Sequence, residues 1–387
     1  MVTRLKSSRI ICGDEIISGY VYFENGIITE VSDNEYPADA EYDMGNDYVS
    51  PGFIDMHTHG GCGYDFIKSE ADVVGGCNFH LKHGTTSICP TLSAAPIAEM
   101  EKAIEGVAAA MKNPAVHSNI LGVHMEGPYL SAKQCGAQSP DFITPPIEED
   151  YKPIVEKYKT AIARWSYAPE NDEDGRFAKY LTDNGIVASA GHTDAIYDDM
   201  CTAMDNGCNL ITHLYSCTST ITRDKGFRRL GVIETAMLRD DMYAEIIADG
   251  KHVPPELIKL TLKIKGSDRV ALVTDSLAPA GGCTPDGKKI THGFMNATEF
   301  IIEDDVCKLV DRSAFAGSIA TCDMMVRVMT KEVGVSLPET VKMLTRVPAE
   351  IMKLNKGELK QGKDADIIVF DDDINIKKCF VMGKEII

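Results

Sequence analysis

Residues 50–63 read SPGFIDMHTHGGCG, an apolar run that ends in two histidines and then turns to glycine. Side chains two positions apart in a β-strand face the same side, so His57 and His59 can present both imidazoles to one cation while Thr58 points elsewhere. The glycines that follow leave room for a metal and a substrate. Imidazole ligands suit Zn²⁺, Fe²⁺ or a similar ion, so this stretch predicts a metal-binding pair at the end of a strand.

The same pattern recurs later in the chain. Five further apolar runs, which begin near residues 120, 187, 210, 246 and 270, also end in histidine, glutamate or aspartate. One such residue after a strand is usually a turn or cap residue, but metal-ligand types at successive strand ends indicate a shared site. The residues at these ends are His124, Glu126, His192, His213, Asp249, His252 and Asp275.

The middle of the chain alternates between these runs and amphipathic stretches such as residues 98–111 and 254–263. Strand–helix alternation over most of a chain favours an α/β fold with a parallel sheet, either closed or open. In a (β/α)8 barrel the active site lies at the carboxyl ends of the strands. A barrel would therefore bring the polar strand ends to one mouth.

Both ends of the chain are rich in β-forming residues. Residues 9–31 contain short runs with a hairpin signal at Asn25-Gly26, and residues 357–384 read as strand, turn and strand. We therefore expect residues 1–51 and 355–387 to form one small sheet domain beside a barrel domain of residues 52–354. Three lysines near the C-terminus are predicted to lie on a solvated face: Lys356, Lys360 and Lys363.

The composition and net charge argue against nucleic acid and membranes as binding partners. The chain has 387 residues, a net charge of −19 and a sequence pI of about 4.9, so it has no bulk attraction for nucleic acid or an anionic membrane. The start of the sequence lacks the apolar stretch of a signal peptide, and no apolar run is long enough to span a membrane. Twelve cysteines without a CxxC pair indicate reduced thiols and a cytoplasmic protein.

Taken together, the motifs resemble those of the amidohydrolase superfamily and, within it, the N-acetylglucosamine-6-phosphate deacetylase family. The resemblance covers nearly the whole chain and rests on PGFIDMHTHG, GVHMEGPY, AGHT, THLY, IADGKH and LVTDSLAPAG, which begin at residues 51, 122, 190, 212, 247 and 272. The tail GELKQGKDADIIVFD from residue 357 is similar to the superfamily's closing β segment. The resemblance implies a TIM-like (β/α)8 barrel of the amidohydrolase type and a small β-sandwich formed by both termini.

The resemblance also implies a ligand set. One divalent metal would be held by Glu126, His192 and His213, and the retained pair His57 and His59 makes a second metal ion possible, with Glu126 bridging the two. Each subunit would thus bind one or two ions, zinc or iron. The family's catalytic aspartate corresponds to Asp275, which we also count among the metal ligands, and His124 is expected to support the ligands from behind.

Substrate contacts follow from the same resemblance. The basic segment RDKGFRR begins at residue 223, and its best match to a phosphate-binding arginine is Arg228, with Arg223 in reserve. His252 corresponds to a phosphate and sugar contact that reaches the neighbouring subunit's site in the family, which implies a homodimer. Gln138, Ser216 and Cys217 correspond to further substrate contacts.

The implied enzyme hydrolyses a linear amide C–N bond. It converts N-acetyl-D-glucosamine 6-phosphate to D-glucosamine 6-phosphate and acetate in amino-sugar catabolism. The sequence departs from the family after His213, where SCTST replaces an Asn-Ala pair, so the galactosamine epimer or another N-acylated sugar remains an alternative. Two further alternatives are a cyclic amidase or deaminase of the same superfamily, and a sugar-phosphate-sensing protein without catalytic activity.

Overall fold

Eight parallel strands form the centre of the fold. The computed structural model describes all residues, 1–387. The strands β1–β8 are Phe53–Thr58, Thr85–Ser93, Val123–Glu126, Ile162–Tyr167, Val187–Ala190, Leu210–Ile211, Tyr243–Ile247 and Val270–Val273. They are hydrogen-bonded to one another in numerical order, and a short strand, Asn119–Ile120, adds to β2 just before β3.

A helix of the same number follows each of the first seven strands, and three helices follow β8. Helices α1–α7 are Glu70–Leu81, Ile97–Ala110, Glu148–Tyr158, Arg176–Asp183, Tyr197–Asp205, Val232–Leu238 and Pro255–Lys265. Helices α8–α10 are Cys322–Val328, Leu337–Leu344 and Arg346–Ile351. The predicted (β/α)8 barrel is confirmed. No helix combines the length and the apolar character that a membrane span requires.

Barrel closure occurs at the carboxyl ends of the strands. The sheet begins at β1 and ends at β8, and backbone hydrogen bonds join the segments that leave these two strands. The amide of Asp275 donates to the carbonyl of His57 at 2.9 Å, and the amide of His59 donates to the carbonyl of Ser276 at 2.8 Å. Closure therefore brings the predicted HxH pair and the predicted catalytic aspartate side by side.

Burial explains why the barrel strands lack a clear apolar–polar alternation. Every residue of β1, β2, β3 and β8 is buried, because helices cover one face and the barrel interior covers the other. Trp165 on β4 packs outward, stacked on Tyr129 with 5.6 Å between ring centroids. The inward positions carry polar side chains instead, and these form the floor of the site.

Both termini build one mixed sheet. Its strands are Thr3–Cys12, Glu15–Glu24, Ile27–Ser32, Ala40–Asp43, Tyr48–Pro51, Ile367–Phe370, Ile376–Val381 and Lys384–Glu385. Tyr48–Pro51 pairs antiparallel with Ile367–Phe370, which joins the two ends of the chain. The sheet has its own apolar core, so the expected small domain from both termini is present.

Two insertions extend from the mouth of the barrel. A hairpin of Thr222–Asp224 and Phe227–Arg229 follows β6, and a four-stranded antiparallel sheet follows β8. The strands of this sheet are His292–Met295, Thr298–Glu303, Val306–Leu309 and Phe315–Gly317. Gly60–Gly61 and Tyr64–Asp65 form a further small ladder, and the short helices are Ala132–Gln134, Pro140–Phe142, Pro169–Asn171, Ser267–Arg269 and Met329–Val333.

The predicted solvated position of Lys356 is wrong. Its side chain is buried, and its Nζ donates to Asp366 Oδ2 at 2.6 Å. The same oxygen accepts from Asn119 at 2.9 Å, and the backbone amide of Met382 donates to the other oxygen. Asp366 is buried where the barrel meets the terminal sheet, and such a carboxylate requires a cation beside it.

We therefore expect Lys356→Met to destabilise the protein by about 3 kcal/mol, because it leaves a buried carboxylate without its cation. Lys363→Met is the matched control, since Lys363 is partly exposed and lies 3.7 Å from Glu358. It should change the free energy of unfolding by less than about 0.5 kcal/mol. Urea denaturation of both variants measures the difference, and equal effects would contradict the role assigned to Lys356.

Candidate functional site

The carboxyl ends of the barrel strands bring the six predicted ligand residues together. All six are buried, and their ligand atoms form two groups, each with its atoms within 4.8 Å of one another. The first group is His57, His59 and Asp275, and the second is Glu126, His192 and His213.

The first group lies where the barrel closes. Asp275 Oδ1 is 3.3 Å from the Nε2 atoms of both His57 and His59. The two Nε2 atoms are themselves 3.4 Å apart, so the HxH pair faces one point in space, as the strand periodicity predicts.

The second group comes from three different strands. Glu126 Oε1 is 3.2 Å from His192 Nε2 and 3.1 Å from His213 Nε2, and these two nitrogens are 3.1 Å apart. Glu126 also reaches the first group, with Oε1 at 3.3 Å from His57 Nε2 and Oε2 at 3.2 Å from His59 Nε2. Its carboxylate therefore lies between the two groups.

Unusual backbone conformations direct three of these side chains. His192, His213 and Asp275 have φ values of 47°, 32° and 48°, in the left-handed region that non-glycine residues seldom adopt. Each residue lies two positions beyond the end of its strand, where the chain turns sharply away from the barrel. Local strain of this kind clusters at functional sites, where surrounding contacts hold it in place.

The donor atoms fit a metal site in chemistry and in spacing. Four ligands about 2.0–2.1 Å from a tetrahedral zinc ion lie roughly 3.3 Å from one another, and the donor atoms here are 3.1–3.4 Å apart. Imidazole nitrogens and carboxylate oxygens without a thiolate suit zinc or ferrous iron. Both groups could hold a divalent cation, with Glu126 shared between them.

The electrostatics of the site favour positive charge. Burial lowers the pKa of His57 and His59, but the carboxylates of Glu126 and Asp275 outweigh it and raise the values to about 10 and about 9. Burial would raise the pKa of Asp275, but His57 and His59 hold it below its ordinary value. The pKa of Glu126 is likewise lowered by His57 and His192, against the effect of burial. A divalent cation would therefore displace protons as it binds.

Polar contacts at the ring nitrogen that faces away from the site orient two of the ligand histidines. His59 Nδ1 lies 3.1 Å from Ser93 Oγ, and His192 Nδ1 lies 3.0 Å from the carbonyl of Gln134. As expected, His124 is not in either ligand group, and its ring packs against His57 with 4.5 Å between centroids. Burial and the charge of Arg164 lower the pKa of His124 well below its ordinary value, so it supports the ligands as a neutral group.

Gln138, a predicted substrate contact, lies next to the ligand groups. Its side-chain nitrogen donates to Glu126 Oε2 at 2.7 Å, and its side-chain oxygen accepts from the amide of Ala94 at 2.9 Å. The amide is buried and makes one hydrogen bond at each end within the protein, and Gln138 is not among the residues that line the cavity described below. Gln138 instead holds the carboxylate that lies between the two ligand groups.

A cavity of about 220 Å³ opens beside the ligands. Glu126, His192, His213 and Asp275 form part of its wall. Ser216, Cys217 and His252, which the sequence analysis predicts to contact substrate, also line it, and Met295 and Phe315 from the inserted sheet cover the opposite side.

His252 lines the cavity of its own chain, whereas the family resemblance expects it to reach a neighbouring subunit's site. Its Nδ1 lies 2.7 Å from Asp249 Oδ2, and its ring packs against Phe315 with 4.8 Å between centroids. Asp249 follows β7 closely and also accepts the backbone amides of Lys251 and His252. The aspartate therefore fixes the imidazole and leaves Nε2 free of protein partners.

The predicted phosphate-binding arginines lie outside this cavity. Arg223 and Arg228 are on the exposed hairpin after β6, where they face each other across its two strands. Neither lines the cavity, and the only hydrogen bond of the Arg228 guanidinium is to the carbonyl of Gly226 at 3.4 Å. No lysine or arginine of the same chain lines the cavity.

Two charged residues that lie beneath the ligands were not among the site residues predicted from the sequence. Arg164 in the run IARWSY and Glu245 in the run YAEII are fully buried inside the barrel and form an ion pair. The sequence signal for both residues was a single charged side chain within an otherwise apolar run. Arg164 also lies two positions from Ser166, and side chains two apart in a strand share a face, so both point inward.

Comparisons with known proteins agree with this geometry. A model described as the Amidohydrolase family matches residues 48–386. The N-acetylglucosamine-6-phosphate deacetylase of Bacillus subtilis (strain 168) is 31% identical over 96% of this chain and 94% of its own length. The N-acetylgalactosamine-6-phosphate deacetylase of Shewanella sp. (strain ANA-3) is 28% identical over 96% of this chain and 91% of its own.

A solved structure is similar over the full length. It is a mutant of N-acetyl-D-glucosamine-6-phosphate deacetylase from Mycobacterium smegmatis in complex with N-acetyl-D-glucosamine-6-phosphate. It superposes with a TM-score of 0.90 at 25% identity and covers 99% of both chains.

His80 supports the HxH segment and gives a pH-dependent contribution to stability. Its Nε2 donates to the carbonyl of Gly60 at 2.8 Å, and burial lowers its pKa to about 4. An unfolded chain protonates histidine near pH ~6.5, so between about pH 6.5 and 4 the unfolded state binds more protons and stability falls as pH falls.

We therefore expect the wild-type protein to lose more stability between about pH 6.5 and 4 than His80→Gln, by up to about 3 kcal/mol. The exposed His117 provides the control, and His117→Gln should keep the wild-type dependence. Denaturant unfolding at several pH values measures the three profiles. Identical profiles for the wild type and His80→Gln would show that burial of His80 carries no linked proton.

Proposed function

The chain belongs to the amidohydrolase family, and we propose that it hydrolyses the N-acetyl group of N-acetyl-D-glucosamine 6-phosphate. The products are D-glucosamine 6-phosphate and acetate, so the enzyme acts on a linear amide C–N bond. One observation carries this proposal: two groups of metal-ligand side chains meet across Glu126 at the wall of a cavity that also contains Asp275. Relatives that carry this enzyme name align over nearly the whole chain.

The proposed cofactor is one or two divalent cations per chain, zinc in the first place and iron in the second. His57, His59 and Asp275 would hold one ion, and Glu126, His192 and His213 would hold the other. A bound cation of this kind lowers the pKa of water towards neutrality and polarises the amide carbonyl. The buried carboxylates and the absence of thiolates among the ligands support a hard or borderline cation.

Asp275 is the proposed acid–base group. Because its neighbouring histidines hold its pKa below the ordinary value, the carboxylate is ionised at neutral pH and can take a proton from the attacking water. The protonated carboxyl is then a strong acid and can donate that proton to the leaving nitrogen. The nitrogen departs as an amine, and acetate forms from the carbonyl carbon and the water oxygen.

The phosphate requires positive charge that the cavity of one chain does not supply. His252 offers its free Nε2, but the cavity lining contains no lysine or arginine. The exposed hairpin with Arg228 and Arg223 could provide the cation to the cavity of a second copy, and exposed Phe227 and Ile221 beside it favour contact with another chain. We therefore propose a homodimer in which Arg228 binds the partner's phosphosugar.

Two cavity residues keep the galactosamine epimer as a second candidate. Ser216 and Cys217 line the cavity at positions where the family resemblance expects an Asn-Ala pair. A relative named N-acetylgalactosamine-6-phosphate deacetylase aligns over 96% of this chain. These observations make N-acetyl-D-galactosamine 6-phosphate the second candidate substrate.

The proposed compartment is the cytoplasm. All twelve cysteines are free in the structure, and six of them are partly exposed without any pairing: Cys12, Cys62, Cys135, Cys201, Cys217 and Cys283. Exposed free thiols persist in reducing compartments, which supports this assignment.

Acetate release from the zinc-loaded enzyme tests the proposal. We expect release from N-acetylglucosamine 6-phosphate or its galactosamine epimer, and much slower release from the unphosphorylated sugars. Asp275→Asn should lower the rate by about two to three orders of magnitude, because it removes the positioned acid–base group. Asp286→Asn, on the exposed part of the segment after β8, is the matched control and should retain the wild-type rate.

Zinc content must be determined for every sample in this assay. Full activity of zinc-loaded Asp275→Asn would remove Asp275 from the mechanism. If the zinc-loaded wild-type protein released acetate from neither phosphosugar, the proposed reaction would be wrong.

A further inference from the structure

A buried ion pair lies beneath the two ligand groups. Arg164 on β4 and Glu245 on β7 have no exposed side-chain surface, and the Arg164 guanidinium donates to Glu245 Oε1. The other guanidinium nitrogen donates to Ser189 Oγ and Thr212 Oγ1, each at 3.1 Å. These contacts fix the guanidinium inside the barrel.

Stability alone does not account for such a pair. Removing two charges from water costs several kcal/mol, and apolar side chains of similar volume often stabilise a core equally well. A barrel interior is ordinarily filled by branched apolar residues. The contacts made by the second oxygen of Glu245 indicate a different role.

Glu245 Oε2 faces both ligand groups from below. It is 3.6 Å from Nδ1 of His57 and 3.4 Å from the backbone amide nitrogen of His213. Nδ1 of His57 is buried and has no hydrogen-bond partner. The carboxylate nearest to that nitrogen is that of Glu245, at 3.6 Å. On the opposite side of the ring, Nε2 of His57 faces Glu126 and Asp275.

The ligand histidines differ in what lies behind them. His59 has the hydroxyl of Ser93 at Nδ1, and His192 has the carbonyl of Gln134. Only His57 has a carboxylate behind it, and a carboxylate is the strongest acceptor of the three. Groups behind a ligand histidine fix its tautomer and raise its basicity towards the metal.

We propose that Glu245 is a positioning residue that keeps the proton of His57 on Nδ1, so that Nε2 presents its lone pair to a cation, and that Arg164 holds Glu245 in this orientation. This inference rests on the divalent-metal part of the proposed function. In this role the Arg164–Glu245 pair strengthens the binding of the ion that His57, His59 and Asp275 would hold. The other ion, held by Glu126, His192 and His213, has no contact with the Glu245 side chain except through the backbone of His213.

Glu245→Gln provides a sharp test because the change conserves shape. Arg164 can only donate, so it forces the oxygen of the substituted side-chain amide towards itself and the nitrogen of that amide towards His57. The amide nitrogen then donates to Nδ1, which moves the imidazole proton to Nε2 and blocks the lone pair that a cation needs. We expect the first position to bind zinc about 10–100-fold more weakly. The second position should weaken less, because there the substitution only replaces the 3.4 Å contact between Oε2 and the backbone amide of His213.

Zinc titration of the full-length, zinc-free protein against a competing chelator measures both affinities, and elemental analysis gives the number of ions retained. This measurement requires no turnover, so it fails or succeeds independently of the deacetylase proposal. Tyr167→Phe is the control, because Tyr167 is buried on the same strand as Arg164 and its hydroxyl has no hydrogen-bond partner. Both zinc affinities should remain at the wild-type values.

The double variant Arg164→Met with Glu245→Gln separates positioning from simple structural support. Without the guanidinium, the amide can turn its oxygen towards Nδ1 of His57, so zinc binding at the first position should recover relative to Glu245→Gln alone. A purely structural role predicts further loss, because a second buried partner has been removed.

Three results would overturn the proposal. The first is that Glu245→Gln binds zinc at both positions with the wild-type affinities, and the second is that it binds zinc more weakly by the same factor at both positions. The third is a double variant whose first position binds zinc no more tightly than that of Glu245→Gln alone. If Glu245→Gln does not fold, Glu245→Asp decides. Its carboxylate keeps the charge but is withdrawn from His57, so the first position should still weaken selectively. Unchanged affinity in Glu245→Asp would also overturn the proposal.

Discussion

The closure of the barrel between β1 and β8 is the constraint on which the rest of the site depends. Two backbone hydrogen bonds, from Asp275 to His57 and from His59 to Ser276, make this closure at the carboxyl ends of the strands. They fix the predicted acid–base group at 3.3 Å from both imidazoles of the HxH pair. Because Asp275 adopts a left-handed conformation there, its side chain turns into the barrel mouth rather than along the strand direction. The geometry of the reaction site is thus a consequence of how the sheet closes.

The side chains at and beneath the ligand groups balance one another's charges. Glu126 and Asp275 concentrate negative charge among four buried histidines, which makes the site attractive to cations although the interior disfavours isolated charges. Glu245 adds a third carboxylate from beneath, and Arg164 neutralises it at close range. Gln138 and Ser93 complete the arrangement with neutral hydrogen bonds to Glu126 and His59.

Local patterns in the sequence predict the strand–helix alternation and the convergence of the six candidate ligand residues, and the family resemblance adds the closed barrel. Parallel strands place their carboxyl ends at one edge, so histidines and carboxylates at successive ends must converge. The remaining features depend on contacts between distant segments. Gln138 binds Glu126 rather than lining the cavity, and Lys356 is buried against Asp366, where the barrel meets the terminal sheet. Glu245 contacts β1 and β4 from within an apolar strand, and the single charge in that strand does not show which residues it faces.

The proposed function requires that the strand ends hold divalent cations at the ligand groups that meet across Glu126. Anomalous X-ray diffraction at the zinc absorption edge, from crystals of the zinc-loaded protein, locates such cations. We expect an anomalous peak among Glu126, His192 and His213, and a second peak among His57, His59 and Asp275 when both positions are filled. Zinc found only outside these two groups, or no zinc in the barrel mouth, would contradict this requirement.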